Sequence, residues 1–102
     1  MLKIEDVVKL YEFVDIKLNY FKQEHCCKAF FEGRTVRVFM KNIDSEKDLE
    51  LTLIHELIHA RNWYLLDVED DEDEVEDEAV VTYNNNHEIV KFIKQLYCPR
   101  LK

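Results

Sequence analysis

Residues 45–66, SEKDLELTLIHELIHARNWYLL, decide how the rest of this chain is read. Asp44 or Ser45 supplies a short side chain of the kind that caps a helix start. Glu46, Asp48 and Glu50 follow where the positive end of the helix dipole favours anions. Leu49, Leu51, Leu53, Ile54, Leu57 and Ile58 then occupy most of the circumference, so the spacing predicts a helix lying between other elements. One stripe is polar instead: Thr52, His55, Glu56, His59 and Trp63. A buried polar group without a partner costs roughly 1–3 kcal/mol, so this stripe needs partners from outside the helix. Within it, His55-Glu56-Leu57-Ile58-His59 is an H-E-x-x-H pattern. Residues four apart share a helix face, so both rings can turn a nitrogen to one ion while Glu56 holds a water beside it. The plainer alternative is a pair of histidines satisfied by hydrogen bonds in a polar cleft.

Upstream, the segment IEDVVKLY places apolar residues at 4, 7, 8 and 11, which is helical spacing. The period then changes to two. Val14, Ile16, Leu18 and Tyr20 alternate with polar residues, as in a half-buried strand. Residues 28–40 read as a hairpin, KAFF and TVRVFM, around the chain's single glycine, Gly33. A small three-stranded antiparallel sheet is expected. Downstream, residues 67–78 hold ten acids in twelve positions and read as an acidic loop. A second helix covers about residues 75–97, with the asparagines at 84–86 placed to kink or split it. The expected architecture is therefore α+β: an N-terminal helix, the sheet, the H-E-x-x-H helix and a C-terminal helix, forming one domain over residues 1–102.

A catalytic zinc usually takes three protein ligands and leaves one position to water. A third histidine at metzincin spacing is absent, since Asn62 and Leu65 stand where the glycine and the ligand belong. The remaining candidates are His25, His87 and the acids of residues 67–78. At about 100° per residue with Ala79 at 0°, Val75, Tyr83, Val90, Ile93 and Tyr97 form the inner face of the second helix. Glu76 lies at about +60°, on the margin of that face, whereas Glu78 lies at about −100° and Asp77 at about 160°. His87 shares the angle of Glu76 but lies about 16.5 Å further along an unbroken helix. Glu76 is the preferred third ligand, with Glu78 and His87 as alternatives. Tyr83 reads either as core or as a hydrogen-bond donor to an oxyanion.

His55-Glu56-Leu57-Ile58-His59-Ala60, followed by Val75-Glu76-Asp77-Glu78-Ala79 with Glu76 seventeen residues after the second histidine, resembles the gluzincin metallopeptidases. More closely, it is similar to small phage-type metallopeptidase-like proteins and to the ImmA/IrrE-type domain, over residues 36–96. The resemblance implies a minimal zincin-like fold, Zn²⁺ held by His55, His59 and Glu76, and Glu56 as general base in peptide hydrolysis. The chain departs from the larger members in having no obvious substrate-binding lobe. The rival function is a non-catalytic, zincin-shaped interaction module with a structural or vestigial metal.

Composition narrows the remaining classes. The net charge is −8, and removing the ten acids of residues 67–78 leaves +2 on the rest. That balance argues against a nucleic-acid surface, which needs a basic stripe; a peptide or protein substrate is what the resemblance implies. The acidic run itself reads as a solvated loop, a flap over the metal, or a site for a basic partner or further divalent cations. No apolar run approaches the ~18 residues of a membrane span, and acids interrupt the N-terminal segment MLKIEDVVKL. The expectation is a soluble, cytoplasmic protein. Cys26, Cys27 and Cys98 are odd in number and two are adjacent, so buried thiols are expected over a disulfide framework, with a bridge from Cys98 to one of the pair as the alternative.

Overall fold

A computed structural model describes residues 1–20 and 27–98 of the chain. The first helix, α1 (Ile4–Tyr11), turns Val7 and Leu10 into the core, while Ile4, Val8 and Tyr11 stay largely exposed. The Lys3 backbone N–H donates to the Asp6 carboxylate at 3.0 Å, which closes the first turn. Three strands follow, β1 (Asp15–Asn19), β2 (Ala29–Glu32) and β3 (Thr35–Phe39). Gly33, at φ +64°, makes the tight turn between β2 and β3 in the left-handed region that favours glycine.

The sheet is mixed rather than antiparallel throughout. Its order is β1-β3-β2, with β2 antiparallel to β3 and β1 parallel to it. The alternation of apolar residues fixes which face is buried, not which way a strand runs. Ile16 and Phe31 both register with Val36, and Leu18 and Ala29 with Val38, so one apolar face results. The strand direction follows instead from the strand order, in which β1 and β2 lie on opposite sides of β3. In consequence β3 is central and paired on both sides. The β3 strand therefore offers no free edge to an extended peptide; among the described residues, β2 and β1 are the edges.

A short 3₁₀ turn (Met40–Asn42) leads to α2 (Glu46–Ala60). Ser45 is its cap, with Oγ accepting from the Asp48 backbone N–H at 3.1 Å. Leu53, Ile54, Leu57 and Ile58 are fully buried, because α2 packs against α1, against β2 and against the two helices that follow it. The helix does not end at Ala60. It widens into a π turn over Arg61–Leu65.

The C-terminal helix divides at the asparagines into α3 (Glu72–Asn85) and α4 (His87–Tyr97). Asn86 is the dividing residue, and its side chain accepts from the Ile89 backbone N–H at 3.1 Å to cap α4. The start of α3 lies three residues earlier than the sequence spacing suggests. The Asp71 side chain caps it by accepting from the Asp73 backbone N–H at 2.9 Å. The acidic run of residues 67–78 is thus a loop only in its first part, and Glu72–Glu78 is helix. No helix among the described residues is long and apolar enough to cross a membrane. Cys27 and Cys98 are free thiols, exposed and buried respectively, while Cys26 lies outside the described residues.

Candidate metal centre

Two helices build the site. On α2, His55 and His59 stand one turn apart with their rings 4.9 Å from centroid to centroid, and their Nε2 atoms approach to 3.2 Å. Across from them, the first turn of α3 presents Glu72. Its Oε1 lies 2.6 Å from Nε2 of His55 and its Oε2 lies 3.0 Å from Nε2 of His59. His55, His59 and Glu72 therefore offer three ligand atoms within 4.8 Å of one another. Glu76, the carboxylate nominated by helix angle, lies one turn further on and meets the other nitrogen of His55, with Oε2 2.9 Å from Nδ1. Asp70, just before α3, occupies the equivalent place behind His59, with Oδ2 2.6 Å from Nδ1.

The donor set fits a divalent ion. Ligand bonds of about 2.0–2.1 Å in a tetrahedral centre put ligand atoms about 3.3–3.4 Å apart, close to the separation of the two Nε2 atoms. The hydrogen-bond count points the same way. All four ring nitrogens face a carboxylate oxygen at 3.0 Å or less. Two neutral imidazoles carry only two N–H groups, so two of these contacts would set a bare nitrogen lone pair against an anion. Protonating both rings removes that conflict but leaves two Nε2–H groups aimed at each other. A cation among the Nε2 atoms and Glu72 resolves both problems, with each Nδ1–H donating to its own carboxylate.

Glu56 sits beside this cluster and is 8% exposed. Its carboxylate takes no hydrogen bond among the described residues. Burial pushes its pKa above the ordinary glutamate range, against the opposing pull of His55 and His59 and with a further push from Glu72. Asp70 behaves oppositely. Burial pushes it up, but hydrogen bonds from His59, Trp63 and Asn62 outweigh burial and hold its carboxyl below the usual range.

The π turn supplies those last two donors. Trp63 Nε1 donates to Asp70 Oδ1 at 3.2 Å and Asn62 Nδ2 reaches Oδ2 at 3.4 Å. The Trp63 ring stacks on His59 at 5.1 Å and meets Phe31 of β2 edge-on at 5.1 Å. The neighbouring Arg61 is buried and grips Glu78 through both guanidinium nitrogens. That ion pair takes Glu78 away from the histidines and ties the end of α2 to α3.

Other polar residues considered from sequence have different roles. Thr52 Oγ1 donates back to the Asp48 carbonyl at 2.8 Å, within its own helix. Tyr83 donates to Glu50 at 3.5 Å and lies beside His87 at the α3–α4 junction, so neither shares the cluster. His25 lies outside the described residues. The sequence spacing singles out neither Glu72 nor Asp70, although it carries a signal for one of them. The angle that puts Glu76 at about +60° puts Glu72 at about +20°, nearer the centre of the inner face, once the helix is extended back one turn. A comparison with protein-family models, curated proteins and solved structures finds no match to this chain.

Proposed function

We propose that this chain is a zinc-dependent peptidase of minimal zincin-like form, with His55, His59 and Glu72 holding the metal and Glu56 acting as general base. The observation that carries the proposal is the arrangement of ring nitrogens. Both Nε2 atoms converge with the Glu72 carboxylate, and both Nδ1 atoms are backed by carboxylates, Glu76 behind His55 and Asp70 behind His59. Such backing fixes ring orientation and raises the basicity of a metal-binding histidine. Two imidazoles and a carboxylate are a donor set that suits zinc.

Bound zinc would supply Lewis acidity, lowering the pKa of a coordinated water towards about 7 and polarising a carbonyl. The rest is the work of the chain. Glu56, buried and without a hydrogen-bond partner, is free to accept a proton from the attacking water at its carboxylate. The same carboxyl would then return that proton to the leaving amine nitrogen as the C–N bond breaks. The edge of β2 lies against α2 and, through Phe31, against Trp63, so an extended peptide pairing with that edge would run beside the histidines.

The deciding experiment separates metal from chemistry. Protein purified without added zinc and refilled should bind one equivalent by native mass spectrometry and cleave a peptide library. Glu56→Gln should keep the zinc and lose about 10²-fold or more of the cleavage rate. Stoichiometric zinc with unchanged cleavage in Glu56→Gln would sink the catalytic role. Zinc without cleavage in the wild type would favour the interaction module.

A further inference from the structure

Beside the candidate centre lies an open surface cavity of about 420 Å³, lined among the described residues by Trp63, Asp67, Val68, Glu69 and Asp70. That volume suits one large side chain and falls within the usual range of small-ligand pockets. Two of its walls touch the site directly, since Trp63 stacks on His59 and Asp70 accepts from it. The cavity is held open by a braced loop. The Val68 backbone N–H donates to the Asn62 carbonyl at 2.9 Å, and Asp70 is fixed by His59, Asn62 and Trp63.

The walls divide by chemistry. Trp63 and Val68 are 41% and 48% exposed and offer apolar surface, enough to cover the methylenes of a long side chain. Asp70 is occupied by its three donors. Asp67 and Glu69 differ, because their carboxylates make no ion pair or hydrogen bond among the described residues. Among the described residues, no basic side chain lines the cavity to neutralise them. A pocket with an aromatic and aliphatic wall and two uncommitted carboxylates complements a guest with an apolar stem and a positive head.

We infer that this cavity is a specificity pocket for an arginine or lysine side chain of the peptide substrate. The inference rests on the peptidase reading for the word substrate, but the pocket itself is testable without it. A charge-assisted contact to Asp67 and Glu69 holds the head, and Trp63 and Val68 hold the stem. The cavity adjoins His59, so a peptide anchored here would lie with its backbone near the metal ligands.

The test uses blocked five-residue alanine peptides carrying arginine, lysine, citrulline or norleucine at the centre. Binding to the zinc-loaded full chain with Glu56→Gln is followed through Trp63, the only tryptophan in the protein. The arginine and lysine peptides should bind at least about tenfold more tightly than citrulline or norleucine and change the Trp63 emission. Asp67→Asn with Glu69→Gln should abolish that preference while leaving zinc stoichiometry unchanged. Asn tolerates the φ of +51° that Asp67 adopts, so the double variant keeps the loop, and Glu69→Gln alone is the second check. Equal binding of all four peptides, or a preference that survives the double variant, overturns the pocket. Selective binding of arginine without cleavage by the wild type would uphold the pocket and defeat the peptidase. Cleavage with no charge preference would do the reverse.

Discussion

Asp70 receives the Nδ1–H of His59 at 2.6 Å while the same ring turns its Nε2 towards Glu72 and His55. One imidazole is thus held from behind by a carboxylate that three donors keep ionised. Removing a carboxylate of this kind typically weakens metal binding about 10–100-fold. Asp70→Ala is expected to fall in that range, measured by competition with a chromophoric chelator. An unchanged zinc affinity would mean that His59 is oriented by packing against Trp63 alone.

Glu72 and Glu76 are separable by the same measurement. Glu72 meets the two Nε2 atoms and Glu76 meets only Nδ1 of His55. Glu72→Ala should abolish stoichiometric zinc binding. Glu76→Ala should retain one equivalent with an affinity lower by about tenfold. The opposite ranking would make Glu76 the ligand.

The Arg61–Glu78 pair predicts a dependence of stability on pH. The hydrogen bond from Arg61 holds the Glu78 carboxyl below its ordinary value of 4.5, against the opposing push of burial. A depressed folded-state pKa contributes stability that is complete above the unfolded value and is lost as pH falls through the folded one. Glu78→Gln leaves a buried guanidinium without its carboxylate and should cost about 1–3 kcal/mol in urea denaturation at pH 7. The difference between variant and wild type should shrink as pH drops below about 4.5 and disappear once the pH is below the depressed folded value. A gap that persists at low pH would assign the loss to shape rather than charge.

Two hydroxyls run the other way. Thr82 Oγ1 and Tyr97 Oη are buried with no hydrogen-bond partner among the described residues. Removing an unsatisfied buried group while keeping its volume relieves a desolvation penalty of about 1–3 kcal/mol. Thr82→Val and Tyr97→Phe should each raise the urea midpoint, by about 1 kcal/mol in stability. A lowered midpoint in either would mean that the hydroxyl has a partner such as an ordered water.

If the centre holds the proposed metal, chelation should loosen α3 from its first turn. Glu72 and Glu76, Asp73 and Asp77, and Glu74 and Glu78 are like charges four apart, each pair disfavouring the helix by about 0.2–0.5 kcal/mol. The histidine contacts offset this repulsion at Glu72 and Glu76, and a cation held between the rings would offset it further. Chelation should therefore lower the thermal midpoint and speed amide exchange over residues 72–78 before the core of α2. Uniform exchange with and without zinc would contradict the coupling.

Much of the fold is legible in the sequence, and the gaps have identifiable origins. The α1 helix, the Gly33 turn, the Ser45 cap and the division at Asn86 all follow from local chemistry, because each depends on residues within one turn of chain. The parallel pairing of β1 with β3 does not, since apolar alternation carries no strand direction. The start of α3 was hidden by its own composition. Seven consecutive positions of mostly acidic residues read as solvated loop until Asp71 is recognised as a cap. That boundary matters for the site, because it brings Glu72 into helical register with Glu76. The H-E-x-x-H pair was visible from spacing alone, whereas Asp70 reaches His59 only through a loop whose path no periodicity encodes.

The wide turn at Arg61–Leu65 has a consequence for how this protein can change over time. A π turn is equivalent to an α-helix that has absorbed one additional residue. Deleting one of those five positions would restore the narrower winding, leaving the chain beyond the turn in register but re-aiming the side chains within it. Asn62 and Trp63 would swing away from Asp70, and the loop that walls the cavity would lose its anchor at the Asn62 carbonyl. Single substitutions along this segment can be absorbed locally; a change in its length cannot.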